Sequence, residues 1–134
     1  MVKVRMMFVQ IILCFLLTGC AAPVVFFGAG AAAGVVGYKY YEGALTVIFQ
    51  SPFMETWDAT LKALDQMNIT VESASHGLTS GKIKAKRGGT ERVTVSFRYK
   101  SAQETEVVIK VGTLGNQDVS MAIKEEIRKV LVKE

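Results

Sequence analysis

The stretch Glu91-Arg92-Val93-Thr94-Val95-Ser96-Phe97-Arg98-Tyr99-Lys100 decides the fold. Val93, Val95, Phe97 and Tyr99 fall on one face of an extended chain, and Arg92, Thr94, Ser96 and Arg98 fall on the other. Alternation of this length predicts an antiparallel strand with one buried and one wet face. The neighbouring stretches read the same way. Ser80 to Lys86 sets Ile83 and Ala85 against Lys82, Lys84 and Lys86, and Glu104 to Gly112 places Thr105, Val107, Ile109 and Val111 together. Ile69 to Ala74, with Ile69 and Val71, is a shorter strand. Ala44 to Phe49, rich in β-branched and aromatic residues, is the first.

Face parity constrains the turns. Residues directly opposite in antiparallel strands point the same way. A two-residue loop Gly88-Gly89 would set Lys84 against Val93, charge against core. A three-residue loop Gly88-Gly89-Thr90 pairs Lys84 with Thr94 and Lys82 with Ser96, and is expected. The same logic at Ser101-Ala102-Gln103 pairs Lys100 with Glu104 and Arg98 with Glu106. Lys82, Lys84, Lys86, Arg92, Arg98 and Lys100 then share one solvent face. Two readings of that face stay open. One is a surface for an anionic partner, with Lys82, Lys84, Lys86 and Arg92 as candidate contacts. The other is a solvated face whose cross-strand charge pairs are each worth under about 1 kcal/mol.

Two amphipathic helices complete the pattern. Ser51-Pro52 reads as a helix cap followed by a preorganised first position. Phe53, Trp57, Leu61, Leu64 and Met67 recur at helical spacing, which puts Trp57 in the core rather than on a binding platform. Asn68, tolerant of the left-handed conformation, ends that helix. Asn116 or Asp118 can cap the second, whose stripe is Val119, Ile123, Ile127, Val130 and Leu131. Lys124, Glu125, Arg128, Lys129 and Lys133 take its wet side. The expectation is an α+β domain of two layers: an antiparallel sheet of about five strands with two helices on one face, in the order β-α-β-β-β-β-α.

Upstream, the chain changes character. Lys3 and Arg5 form a basic head, and Met6 to Leu17 is apolar except for Gln10. Twelve residues suit a signal peptide better than a span, which needs roughly 20. Leu17-Thr18-Gly19-Cys20 follows and resembles the lipobox of bacterial lipoproteins, with Leu17, Thr18 and Gly19 recognised by the signal peptidase and Cys20 lipidated. Residues 1–19 are then a signal peptide, 20–43 an apolar Gly/Ala-rich tether and 44–134 the domain. No charge occurs between Arg5 and Lys39, so an uncleaved signal anchor is the competing reading, with Pro23 against one continuous helix. Gly30 and Gly34 have the spacing of small-residue helix packing, so the segment reads either as a flexible tether or as a membrane-associated or self-packing helix. Gly28 and Gly30 make a poor dinucleotide loop, since no strand precedes them. In lipoproteins of two-membrane bacteria, Asp after the lipidated Cys favours the inner membrane. Ala21 stands here, which by that resemblance points to the inner leaflet of the outer membrane with the domain in the periplasm.

Composition narrows the function classes. The chain has 134 residues with a formal charge of +4. With Lys3 and Arg5 removed, fourteen basic residues face twelve acidic ones, a balance of +2 that gives no case for nucleic acid. Cys14 leaves with the leader and Cys20 is consumed by lipid, so a disulfide framework is not expected.

The layout resembles a family of small bacterial lipoproteins known only as a domain of unknown function. The resemblance rests on Leu17-Thr18-Gly19-Cys20 with the apolar segment behind it, on Thr56-Trp57-Asp58-Ala59-Thr60-Leu61-Lys62-Ala63-Leu64, and on Val111-Gly112-Thr113-Leu114-Gly115-Asn116. It implies no activity and no binding residues. The helices-on-sheet layout is also loosely similar to domains of lipoproteins in outer-membrane protein assembly, a likeness of fold alone.

No catalytic constellation is legible. His76, the single histidine, stands beside Gly77 and is expected in an exposed loop. Ser51, Ser73, Ser75 and Ser80 lack a nucleophile-elbow context. Glu55 and Asp58 read as the wet face of a helix, and Asn116 to Asp118 lacks the later Glu of a calcium loop. No cofactor and no metal is expected. The leading expectation is a non-enzymatic structural or adaptor lipoprotein, anchored to a membrane through its lipid. It would meet an unknown envelope protein through the sheet face or the loop Gly112 to Asp118. The alternative is a binding module for an amphiphilic or anionic envelope component, using a cleft near Trp57 and Phe97.

Overall fold

In the computed structural model, which describes residues 2–17 and 34–133, Lys84 stands opposite Thr94 and Lys82 opposite Ser96. The three-residue hairpin is therefore the one adopted. Gly88 and Gly89 turn it with φ of +63° and +80°, which favours glycine. The second hairpin departs from expectation. Arg98 does face Glu106, but Ser101, not Lys100, faces Glu104, because a bulge falls between Tyr99 and Ser101. A bulge inserts one extra residue and ends strict parity.

Helix α1 spans Val2–Leu17. The domain then runs β1 (Val35–Tyr41), β2 (Ala44–Phe49), α2 (Phe53–Gln66), β3 (Ile69–His76), β4 (Ser80–Arg87), β5 (Glu91–Ser101), β6 (Glu104–Val111) and α3 (Gln117–Lys133). The strands form one open sheet in the order β1-β2-β6-β5-β4-β3. Every neighbouring pair is antiparallel. The fold is α+β, as expected, with six strands rather than five. The added strand, β1, falls within 20–43, the stretch read as tether, and pairs Tyr38 with Val47 and Tyr40 with Leu45.

The core lies between the inner sheet face and the helices α2 and α3. Leu45, Val47 and Phe49 of β2, Val93, Val95 and Phe97 of β5, and Thr105, Val107, Ile109 and Val111 of β6 are all buried. Ile83 and Ala85 continue the layer on β4. From the helices come Phe53, Trp57, Leu64, Ile123, Ile127 and Val130, with Leu61, Met67, Val119 and Leu131 partly buried. Tyr99, expected on the buried face, is exposed and stands where the β5–β6 register shifts.

The helix ends follow local chemistry. Asn116 Oδ1 accepts the Val119 N–H at 3.1 Å and so caps α3. Asn68 has φ +58° and stops α2 as expected. At the start of α2 the cap is Pro52, not Ser51, with no side-chain capping bond, although the Ser51 hydroxyl reaches Glu55 at 3.4 Å and the Thr56 hydroxyl donates to the Pro52 carbonyl at 2.9 Å. Ser51 turns inward instead. Its carbonyl accepts the Thr105 hydroxyl at 2.9 Å, which ties the β2–α2 connection to β6. Lys124, read as a wet residue, is 4% exposed. Its ammonium lies 3.9 Å from the centre of the Tyr38 ring and 3.5 Å from Glu125. Strand β1 is the reason: it brings Tyr38 over the side of α3 that would otherwise meet solvent.

Candidate functional site: the outer sheet face and the two ends of the domain

The outer face of the sheet is built in rows of directly opposed residues. One row runs Lys39, Thr46, Val108, Ser96, Lys82. The next runs Tyr41, Ala44, Lys110, Thr94, Lys84. A third sets Arg92 opposite Lys86 and Lys86 opposite Thr70. The expected basic residues Lys82, Lys84, Lys86 and Arg92 do share this face, and Lys39 and Lys110 join them. Lys39 escaped notice because its strand was read as a linker. Lys110 continues the parity of β6 and was legible there.

One of these bases, and Arg98 on the same face of β5, have acidic partners among the described residues. Lys86 lies 3.2 Å from Glu72, and Arg98 lies 3.9 Å from Glu106. Lys39, Lys82, Lys84, Arg92 and Lys110 have no ion pair within 4 Å among the described residues. Lys86 and Arg92 are like charges placed directly across a strand pair, an arrangement that is destabilising by itself. Lys84, Lys86, Arg92, Thr94 and Glu72 line a shallow groove of about 300 Å³ on this face. The geometry can hold an anion by charge. Expected cross-strand pairing of Lys100 with Glu104 is absent because of the bulge.

The inner aromatic cluster is closed. Trp57 and Phe97 pack with ring centres 4.9 Å apart, and both are buried. A groove of about 680 Å³, lined in part by His76, Gly81, Lys82, Phe97 and Arg98, adjoins them. His76 is exposed, as expected, but it ends β3 rather than sitting in a loop. Its ring meets the edge of Trp57 at 4.8 Å and covers that end of the core. Opposite His76 stands Gly81. A Cβ there would lie 2.8 Å from Trp57 Cζ3, so the glycine is the notch that receives the indole.

The two ends of the domain differ. At one end the β1–β2 turn docks on the loop before α3. Gly43 and Gly115 meet backbone to backbone, with φ of +80° and +88°, and a Cβ on Gly43 would lie 2.7 Å from the Leu114 carbonyl oxygen. Leu114, within the loop Gly112 to Asp118, is held there 92% exposed. At the other end the chain enters at Gly34, whose carbonyl accepts the Gln50 N–H at 2.9 Å. Leu78, on the β3–β4 turn at that end, is 94% exposed. Neither leucine stood out in the sequence, since an isolated apolar residue in a turn carries no period.

The remaining sequence candidates are scattered. Glu55 and Asp58 are exposed on α2, Ser73, Ser75 and Ser80 lie along β3 and β4, and Ser51 is buried. Among the described residues no three or more His, Cys, Asp or Glu are placed to hold a metal ion. Burial raises Glu125, but the Arg128 hydrogen bond and charge, with Lys124, outweigh it and leave the group below the usual carboxylate range. Leu17 closes α1. Thr18, Gly19, Cys20 and the stretch 20–33 lie outside the described residues. No helix among the described residues is long and apolar enough to cross a membrane.

A family model described as "Protein of unknown function (DUF3568)" matches residues 3–130. The chain belongs to the DUF3568 family. The match takes in α1, the stretch between it and β1, and nearly the whole domain, so both parts of this DUF3568 protein are family features. No curated protein matches the sequence.

Proposed function

We propose that this DUF3568 protein is an envelope lipoprotein, held in a membrane by lipid on Cys20 and working as a non-enzymatic structural or adaptor module. Its domain faces the periplasm, with the anchor in the inner leaflet of the outer membrane. The observation that carries the reading is the ordered series of a basic head at Lys3 and Arg5, the apolar run to Leu17, and Leu17-Thr18-Gly19-Cys20. The acyl chains of a lipoprotein suffice for stable anchoring, so residues 21–33 need not insert. An adaptor role fits a domain with a continuous buried core and unpaired bases on its outer sheet face.

A second reading is supported by the outer sheet face: a binding module for an anionic envelope component, gripping it through Lys82, Lys84, Lys86 and Arg92. The two readings part in one experiment. Crosslinking and pulldown from intact cells, comparing wild type with Cys20→Ala, should enrich one protein partner with wild type and lose it with the variant. Lipid or glycan in place of a protein, lost on Lys84→Glu with Arg92→Glu, would favour the binding module. Unchanged processing and membrane location of Cys20→Ala would overturn the lipoprotein reading itself.

A further inference from the structure

The domain's exposed apolar side chains are unevenly distributed. Strand direction puts Gly34, the β2–α2 connection, the β3–β4 turn, the β5–β6 turn and the C-terminal end of α3 at one end. Val36, Met54, Leu78, Tyr99 and Val132 are exposed there, against Tyr41, Val71 and Leu114 towards the opposite end. The Leu78 turn is fixed to its neighbour, since Thr79 accepts the Tyr99 N–H at 2.8 Å. Lys82, Arg98, Lys100 and Lys133 lie towards the same end, together with Glu55, Glu104 and Glu106, the last of these 3.9 Å from Arg98. The same end receives the chain from the anchor. A Cβ on Gly34 would meet Val132 at 3.5 Å, so the point where the chain enters is seated on the last turns of α3.

We infer that this end of the domain docks on the anionic bilayer leaflet that holds the anchor, with Leu78 and Tyr99 entering the interface and its lysines on the headgroups. The inference rests on the anchoring proposed above. Fourteen peptide steps separate Cys20 from Gly34, a reach of at most about 50 Å, so the surface is always within range of this end. Docking is then intramolecular, and an attraction too weak for free protein is enough. Exposed Leu and Tyr beside Lys and Arg are the side chains that enter and grip a membrane interface. Leu114 is left pointing away from the membrane, where a partner can reach it.

The two most exposed leucines of the domain give the test its internal control. The full chain bearing Leu78→Cys or Leu114→Cys would be purified from membranes and spin-labelled. It would then be reconstituted in vesicles of phosphatidylethanolamine and phosphatidylglycerol. Intact mass of the same sample reads the acyl group on Cys20. The expected result is an acylated chain in which the label at 78 collides several-fold more with oxygen than with a water-soluble nickel reagent. The label at 114 should show the reverse. Met54→Glu with Lys100→Glu should return the label at 78 to water. Both labels in water on an acylated chain would overturn the docking and leave the anchor standing. Lipid exposure at 114 alone would overturn the orientation. A chain without acyl groups would overturn the anchor, and the docking with it.

Discussion

Gly81→Ala isolates the packing at the heart of the domain. Gly81 occupies an inner-face position of β4, in register with Phe97 and His76. Where a side chain would stand, the Trp57 ring stands instead. The added Cβ would lie 2.8 Å from Trp57 Cζ3 and 2.8 Å from His76 Cβ, closer than real carbon contacts. Neither neighbour has an easy way out. Trp57 is 5% exposed and is flanked by Phe97 at 4.9 Å and His76 at 4.8 Å. Overpacking of this kind destabilises by about 1–3 kcal/mol. Loss of glycine's unfolded-state freedom returns about 0.4–1 kcal/mol. The net expectation is a loss of about 1–2 kcal/mol, a fall in Tm of roughly 4–16 °C for a domain of this size. Urea unfolding followed by circular dichroism, on the chain in mild detergent, should show a lower midpoint with unchanged slope. Gly77→Ala is the control, because its Cβ meets nothing within 4 Å. In a Trp57→Phe background the same Gly81→Ala change should cost less, since the smaller ring vacates the notch. A Gly81→Ala chain as stable as wild type, with no coupling to Trp57, would mean that the indole does not need the space left by Gly81.

Other perturbations bear on the same architecture. Gly43→Ala and Gly115→Ala each combine a left-handed backbone with a backbone contact, and each should cost about 2 kcal/mol or more in thermal unfolding. Lys124→Met keeps the stem under Tyr38 and removes the buried charge, so stability should hold or rise, whereas Lys124→Glu beside Glu125 should cost about 3 kcal/mol. Glu125 has a depressed folded pKa, so its contribution is present above the unfolded value of about 4.3 and is lost as pH falls through the folded one. Urea midpoints measured at about pH 6 and about pH 3 should therefore lie further apart for wild type than for Glu125→Gln, the two chains drawing together at the lower pH.

Much of the fold was legible because the sheet has one dry face. Charge cannot face core, so Lys84 had to pair with Thr94, and that single constraint set the β4–β5 turn. The same constraint misjudged Lys100, because a bulge at the β5 end breaks the period after Tyr99. Strand β1 was missed for a related reason. A bulge between Val35 and Gly37 disrupts its alternation, and its start merges with the Gly/Ala run that precedes it. The misreading of Lys124 follows from that omission, since without β1 its side of α3 is bare. Gly81 carried a signal that went unused: a glycine at a core-facing strand position marks a close approach. The basic face was legible from parity, whereas Leu78 and Leu114 became notable only once the topology placed them at opposite ends.

Lipid on Cys20 is what ties the domain to a membrane. Intact mass and tandem mass spectrometry of the N-terminal peptide, on chain extracted from membranes, measure it. The expected result is a mature protein that begins at Cys20 and carries acyl mass lost on Cys20→Ala. A protein that retains Met1, or that begins elsewhere without lipid, would contradict it.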